Sequence, residues 1–138
     1  MKKLLFAFMV LALFCSCQSN NRINFIDGEE IKVHPGDTFM ISLDENPTTG
    51  YSWSCEIEGS AIALAYDDYK PSKEKEGLVG TGGLHSFTFR AMNEGFSKVI
   101  FRYKRPWEED AIETKSAIIN VKKKALNVNF GLQLSHRF

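Results

Sequence analysis

The sequence predicts a single all-β domain, built as an antiparallel sandwich or barrel. Short segments of alternating apolar and polar residues recur along the chain, separated by turn-forming residues. No long stretch has helical periodicity, and the eleven Phe residues stand among β-branched neighbours, which favours strands. With 138 residues, 43% hydrophobic and 25% charged, the chain is long enough for one domain with a substantial core.

The N-terminal half of this domain contains three strand candidates. A brief strand at residues 31–33 precedes a turn at 34–37 and an alternating strand at 38–43. The run Asn46-Pro47-Thr48-Thr49-Gly50 predicts a turn, because proline pre-sets its own φ and Gly50 can adopt a positive φ. A buried strand follows at once. Its inward residues are predicted to be Tyr51, Trp53, Cys55 and Ile57.

The C-terminal half has a similar pattern. A short apolar piece at residues 61–66 leads into a predicted charged loop at 67–78. The next predicted strands are 84–91, 96–104 and 116–121, with a loop at 105–110 between the last two. The tail, residues 125–138, also alternates and is either an extra edge strand or an appended segment.

Residues 1–16 have the features of a signal peptide. Lys2 and Lys3 form a basic start, and the apolar stretch at 4–14 is too short to span a bilayer. Ser16 before Cys17 is typical of a bacterial lipoprotein signal, in which Cys17 becomes the acylated first residue of the mature protein. Phe14 and Cys15 depart from the usual residues there, so ordinary secretory cleavage is the alternative. We expect 1–16 to be a lipoprotein signal peptide and 17–28 a lipid anchor and tether.

Charge and cysteine content exclude several function classes. Removing Lys2 and Lys3 leaves 15 basic against 17 acidic residues and no basic stripe, so nucleic-acid binding has little electrostatic support. After processing at Cys17 only Cys55 remains, which rules out a disulfide framework. Cys55 lies on the apolar side of its strand and is interpreted as a small buried hydrophobe rather than a nucleophile.

Catalytic and metal-binding patterns are weak. His34, His85 and His136 are far apart and are interpreted as surface residues, so we predict no metal site and no cofactor. No nucleophile motif of the Gly-x-Ser-x-Gly kind is present. The glycine-rich stretch at 80–83 precedes a strand rather than a helix and lacks the phosphate-binding lysine. We therefore expect a protein that is not an enzyme.

Three separated segments favour a binding function. Residues 46–50 form a stiff polar turn, residues 80–83 lack side chains that would block another backbone, and the third segment is Arg105-Pro106-Trp107. Trp and Arg are enriched at binding hot spots, and Trp107 is predicted to be exposed. Each segment alone could also be a tight turn, a flexible connector or a half-buried tryptophan.

In combination and order, the three segments resemble the chagasin family of cysteine-peptidase inhibitors. The family's Asn-Pro-Thr-Thr-Gly-Tyr-x-Trp motif stands at 46–53, its Gly-x-Gly-Gly motif at 80–83 and its Arg-Pro-Trp motif at 105–107. The resemblance covers roughly residues 29–122, and we take 29–124 as the inhibitor domain. It implies an immunoglobulin-like antiparallel β-sandwich with the three loops side by side at one end.

The resemblance also implies reversible inhibition of papain-like cysteine proteases by blocking the active-site cleft. Thr48 and Thr49 would enter the cleft, with the segment around Gly82 on one side and Trp107 on the other. The residues expected to contact the protease are Asn46, Pro47, Thr48, Thr49, Gly50, Gly80, Gly82, Gly83, Arg105, Pro106 and Trp107. We expect a monomer, lipid-anchored on the periplasmic or surface side of a bacterial cell envelope. The alternative is a surface immunoglobulin-like module that binds a non-protease partner and does not need the two threonines.

Overall fold

The computed structural model describes residues 21–72 and 82–125, which form two four-stranded β-sheets. One sheet has the strand order β1-β3-β6-β5 and the other β2-β8-β7-β4. The strands are β1 Asn21–Ile23, β2 Glu30–Val33, β3 Thr38–Glu45, β4 Ser52–Glu58, β5 Ile62–Pro71, β6 Gly83–Ala91, β7 Gly95–Lys104 and β8 Glu113–Val121. No helix within these ranges is long and apolar enough to cross a membrane.

The predicted all-β sandwich is confirmed, with one difference in strand direction. The pairs β3–β6, β5–β6, β4–β7 and β7–β8 are antiparallel, as predicted. The outer strands β1 and β2, however, pair in parallel with β3 and β8. Alternation of side chains along a strand reports which face is buried but not the direction of the neighbouring strand, so the sequence could not show this.

The core lies between the two sheets and is rich in phenylalanine. Phe39, Phe87 and Phe89 of the first sheet are almost completely buried, as is Phe101 of the second. The Phe87 and Phe101 ring centroids lie 5.2 Å apart, so the two sheets contact each other through aromatic rings. The alternation predicted for β3, β6 and β7 therefore corresponds to the inward faces.

Strand boundaries differ from the prediction at β5 and β8. β5 continues through residues 67–71, which the sequence placed in a charged loop; the rest of that predicted loop, 73–78, lies outside the described residues. β5 is an edge strand with one neighbour, β6, so charged side chains on it remain in solvent without cost. β8 begins at Glu113, three residues earlier than predicted.

Residues 21–28 contact the sandwich, which the sequence predicts to begin at residue 29. β1 pairs with Phe39–Ile41, and Phe25 contacts Phe101 with ring centroids 5.6 Å apart. The Gly28 amide donates to the Ser116 carbonyl at 2.8 Å. The predicted signal peptide, Cys17 and the tail from residue 126 lie outside the described residues.

The described chain enters and leaves the sandwich at the same end. Asn21 pairs with Phe39 at the start of β3, and Val121 pairs with Gly95 at the start of β7. The turn at residues 34–37 lies at this end as well, since it joins β2 to β3. The opposite end contains the connection from β3 to β4, the start of β6 and the residues after β7.

Candidate functional site

The strand directions bring the three predicted binding segments to one end of the sandwich. β3 ends at Glu45, which pairs with Gly83 at the start of β6. β7 ends at Lys104, which pairs with Ser52 at the start of β4. Residues 46–50, 82–83 and 105–107 therefore lie side by side, and we call them the three-loop edge. Gly80 lies outside the described residues.

The first loop is a 3-10 turn at Pro47–Thr49, held by its own sequence. Asn46 is the N-cap, and its side-chain oxygen accepts from the Thr48 amide at 3.3 Å. Gly50 ends the turn at φ +79°, a left-handed conformation that glycine adopts without strain. Its amide donates to the Pro47 carbonyl at 3.0 Å. The predicted turn is thus confirmed, and hydrogen bonds within the loop hold its shape.

Both threonine hydroxyls of the first loop donate inward. The Thr48 hydroxyl donates to the Asn46 side-chain oxygen at 2.6 Å, and the Thr49 hydroxyl donates to the Asn46 carbonyl at 2.7 Å. Both side chains are nevertheless exposed. A hydroxyl has one proton and two lone pairs, so each threonine offers a partner acceptor sites together with a methyl group.

Arg105 joins the third segment to the first loop. Its Nε donates to the Thr49 carbonyl at 3.3 Å, and its guanidinium lies 4.4 Å from the centroid of the Tyr51 ring. A further ion pair at 3.3 Å connects it to Glu108. Arg105 therefore holds two loops together, and its charge is already paired.

Trp107 is exposed, as the sequence predicts. Its side chain is 73% accessible, although one edge of the indole lies beside Gly50. A Cβ placed at Gly50 would be 3.7 Å from the Trp107 Cη2 atom. The ring is thus supported along one edge and leaves a large apolar surface facing solvent.

Beneath the first loop lies a stack of aromatic rings. The Tyr103 ring is 4.8 Å from Trp53 and 5.5 Å from Tyr51, measured between centroids. Its hydroxyl accepts from the Asn46 amide at 3.2 Å. Trp53 is buried, and its indole N–H donates to the Asp44 carbonyl at 2.8 Å. The loop therefore stands on a rigid base.

The glycines of the second segment are needed for packing within the domain. A Cβ at Gly83 would lie 2.2 Å from the Lys70 carbonyl oxygen, closer than real atoms approach. At Gly82 the corresponding atom would lie 3.1 Å from the Glu45 carbonyl oxygen. These close approaches let β5, β6 and the end of β3 meet beneath the three-loop edge.

A groove of about 860 Å³ opens beside the first loop. Asn46 and Gly82 line it together with Tyr103. Arg22 and Lys70 also contribute to its wall, while Leu84 adds an apolar side chain. The three-loop edge is therefore flanked by a concave surface.

A buried charged cluster beneath the loops was missed in the sequence. His85, interpreted there as a surface residue, is 9% accessible. Its ring nitrogens contact Glu45 at 2.7 Å and Asp67 at 2.9 Å. The inward alternation of β3 and β6 puts Glu45 and His85 on the core face, and two ionisable residues at inward positions were the available signal.

Cys55 lacks the properties of a nucleophile. Its side chain packs against the core, and burial together with the charge of Asp67 raises the pKa of the thiol to about 11. A thiol with so high a pKa is protonated at neutral pH and unreactive. Across residues 21–72 and 82–125, no group of three or more His, Cys, Asp or Glu side chains is arranged to hold a metal ion.

Comparison with known sequences shows the class of protein to which this fold belongs, a peptidase inhibitor. The chain belongs to the chagasin family of peptidase inhibitors, whose sequence pattern matches residues 32–121. Its members inhibit peptidases and are not enzymes.

Among individual relatives, proteins of Entamoeba histolytica and Trypanosoma cruzi are similar to this chain. The chain is similar to Amoebiasin-2 of Entamoeba histolytica, 25% identical over 83% of this chain and 95% of the relative. It is 30% identical to Chagasin of Trypanosoma cruzi over 59% of this chain and 76% of the relative. The crystal structure of the cysteine protease inhibitor EhICP2 from Entamoeba histolytica has the same fold, with a TM-score of 0.63 and 23% identity over 70% of this chain and 88% of that one.

Proposed function

We propose that this protein reversibly inhibits papain-like cysteine proteases by filling the active-site cleft with the three-loop edge. The observation that carries the proposal is the first loop, a hydrogen-bonded 3-10 turn flanked by residues 82–83 and by Trp107. Membership of a peptidase-inhibitor family supports inhibition as the activity. The relative whose structure carries the name cysteine protease inhibitor supports the class of target.

The chemistry of the first loop suits a polar cleft. Pro47, Thr48, Thr49 and Gly50 carry no charge, so their insertion does not bury an unpaired ion, which would be costly. Because both hydroxyls donate inward, the loop presents acceptors to hydrogen-bond donors of the protease. Donor groups at the catalytic centre are therefore its expected partners.

Rigidity accounts for both affinity and resistance to cleavage. A loop that already has its bound shape loses little conformational entropy on binding. The Asn46 cap and the Gly50 amide hold Pro47–Thr49 in a turn, so the peptide bonds of this loop are kept from the extended form of a substrate strand. Trp107 on one side and residues 82–83, the glycine segment, on the other complete the contact surface and exclude water.

Replacing both threonines tests the role of the first loop. Thr48→Val with Thr49→Val keeps the side-chain shape but removes both hydroxyls, so inhibition of papain should weaken by about 1–2 kcal/mol, roughly five- to thirtyfold. The measurement is the inhibition constant of the soluble domain against papain. Thr38→Val, at the start of β3 near the opposite end, serves as the matched control and should leave inhibition unchanged.

Two outcomes would decide against the proposal. A wild-type domain that leaves papain and a cathepsin-L-like enzyme fully active at micromolar concentration has a different target. A double variant that inhibits as well as the wild type would favour a binding module that does not use the threonines.

We further propose that Cys17 is acylated and that the domain is a monomer tethered to a bacterial cell envelope. The basic start, the apolar stretch at 4–14 and the Ser16-Cys17 pair support this proposal. Two or more acyl chains give stable anchoring, whereas one is marginal.

Mass spectrometry of the membrane fraction tests the anchor. The mature N-terminus is expected to be Cys17 with added lipid, and Cys17→Ala should release the protein from that fraction. Processing at another residue, without lipid, would contradict the proposal and leave ordinary secretion.

A further inference from the structure

The buried cluster of His85, Glu45 and Asp67 lies directly beneath the three-loop edge. The His85 side chain is 11% accessible and that of Glu45 5%, whereas Asp67 on the edge strand β5 is half exposed. The His85 ring stacks on Phe87 at 4.4 Å between centroids, which fixes its orientation. Each ring nitrogen therefore has one defined partner.

The geometry requires an additional proton in the cluster. Nδ1 faces a Glu45 oxygen at 2.7 Å and Nε2 faces an Asp67 oxygen at 2.9 Å. A neutral imidazole donates through one nitrogen only and would place a lone pair against a carboxylate oxygen at the other. An imidazolium donates through both ring nitrogens. The arrangement with a hydrogen bond to a carboxylate at each nitrogen therefore belongs to the charged ring.

The neighbouring groups named here do not supply a positive charge to the two carboxylates in place of His85. Tyr69 is the register partner of His85 on β5, and Leu43 is its partner on β3. From the second sheet, Cys55 lies near enough to Asp67 for that carboxylate to raise the thiol pKa. Within the part of the chain that the structure describes, the ion pairs of Glu45 and Asp67 are formed with His85.

Glu45 connects the cluster to the first loop. It is the last residue of β3, immediately before Asn46, and the oxygen that contacts His85 also accepts from the Trp53 amide at 2.8 Å. Trp53 lies on β4, beyond the other end of the loop. The carboxylate therefore holds together the two strands from which the loop projects.

His85 also belongs to the strand that follows the glycine segment. It stands two residues after Gly83 on β6, whose first residue pairs with Glu45. A single ring thus connects the base of the first loop with the start of β6.

We propose that His85 is a positioning residue for inhibition, and that its charged, doubly donating ring keeps the first loop and the glycine segment in their binding positions. This inference rests on the proposed inhibition of papain-like proteases. It assigns no contact between His85 and the protease. If the charged ring holds the three-loop edge in shape, inhibition depends on pH, because loss of the ring proton changes that shape.

The direction of this dependence follows from the pKa of His85. Burial alone would lower that pKa, but the hydrogen bonds to Asp67 and Glu45 outweigh it and raise the pKa above the ordinary value of 6.5. Because the folded state holds the proton more tightly, the stabilising contribution is complete below about pH 6.5 and is lost as the pH rises through the raised value. Loop support is therefore strongest in acid.

Inhibition constants of His85→Gln and the wild type, measured against papain from about pH 5 upward, test the proposal. Taking the ratio at each pH cancels the titration of papain itself. The variant should inhibit about fivefold or more weakly in acid, and the ratio should fall toward one as the wild-type ring loses its proton. His34 has an exposed ring that pairs with Asp37 in the 34–37 turn. His34→Gln is therefore the matched control, and its inhibition constant should stay close to that of the wild type at every pH.

A constant ratio across the pH range, or a ratio near one throughout, would refute the positioning role. A lower melting temperature with unchanged inhibition would assign His85 to stability alone. Absence of inhibition by the wild type at every pH would count against the proposed function, and the cluster would then be judged by a second measurement.

That measurement is an NMR titration of the wild-type domain without protease. The Trp53 amide signal and its protection from hydrogen exchange are expected to change with the His85 imidazole signal, at one common pH midpoint. A Trp53 amide that does not respond to the His85 titration would show that the ring does not control the base of the loop.

Discussion

Replacing Trp107 by alanine is expected to weaken inhibition of a papain-like protease by roughly 1–4 kcal/mol, as truncation of a binding hot spot does. The indole is 73% accessible and offers a large, rigid apolar surface at low entropic cost. Inhibition constants and melting curves of variant and wild type are the measurements. The melting temperature should hardly change, because the fold buries little of this side chain.

An aromatic residue at the opposite end provides the control for Trp107. Phe96 is 61% accessible and lies next to Gly95 at the start of β7. Phe96→Ala removes a similarly exposed ring and should leave inhibition unchanged. If Trp107→Ala instead lowered stability strongly and spared inhibition, Trp107 would be a structural residue.

Replacing Glu45 by alanine should cost about 3–5 kcal/mol of the free energy of unfolding, the usual penalty for removing one partner of a buried ion pair. The truncation leaves the Trp53 amide without its acceptor and the His85 ring without one of its two carboxylates. Denaturant unfolding measures the effect. Glu45→Gln retains an acceptor oxygen in the same place, so this variant should lose less of the free energy of unfolding.

The matched control for Glu45 is an exposed carboxylate. Glu56 pairs with Arg102 across β4 and β7, and its side chain is 52% accessible. Glu56→Ala should cost at most about 1 kcal/mol, since water replaces much of a surface ion pair. Equal losses for the two variants would show that the Glu45 carboxylate is not a buried anchor.

The sequence predicts much of the fold because the central strands obey a simple alternation. Phe39 and Ile41 on β3, and Phe87 and Phe89 on β6, all point into the core, as their spacing indicates. The sequence predicts too short a β5 because an edge strand with charged residues has the composition of a loop. Its pairing with β6, which depends on distant residues, makes it a strand.

The candidate site was predicted from local motifs, whereas its internal support was not. The turn at 46–50 and the exposed Trp107 follow from residue types that act locally. The contacts of Arg105 with Thr49 and Tyr51 join segments that are far apart in sequence, so no local pattern reveals them. The prediction that His85 is a surface residue is wrong for the same reason, because its partners Glu45 and Asp67 lie 40 and 18 residues away.

The described chain enters and leaves the sandwich at one end, which places the proposed anchor and the proposed protease-binding surface at opposite ends. Asn21 and Val121 lie at the end that contains the 34–37 turn, whereas the surface proposed to bind a protease lies at the other end. The length of β3, eight residues at about 3.3 Å each, sets a spacing of roughly 25 Å between the two. A protease bound as proposed would therefore approach the end of the sandwich opposite to the one at which Asn21 and Val121 lie.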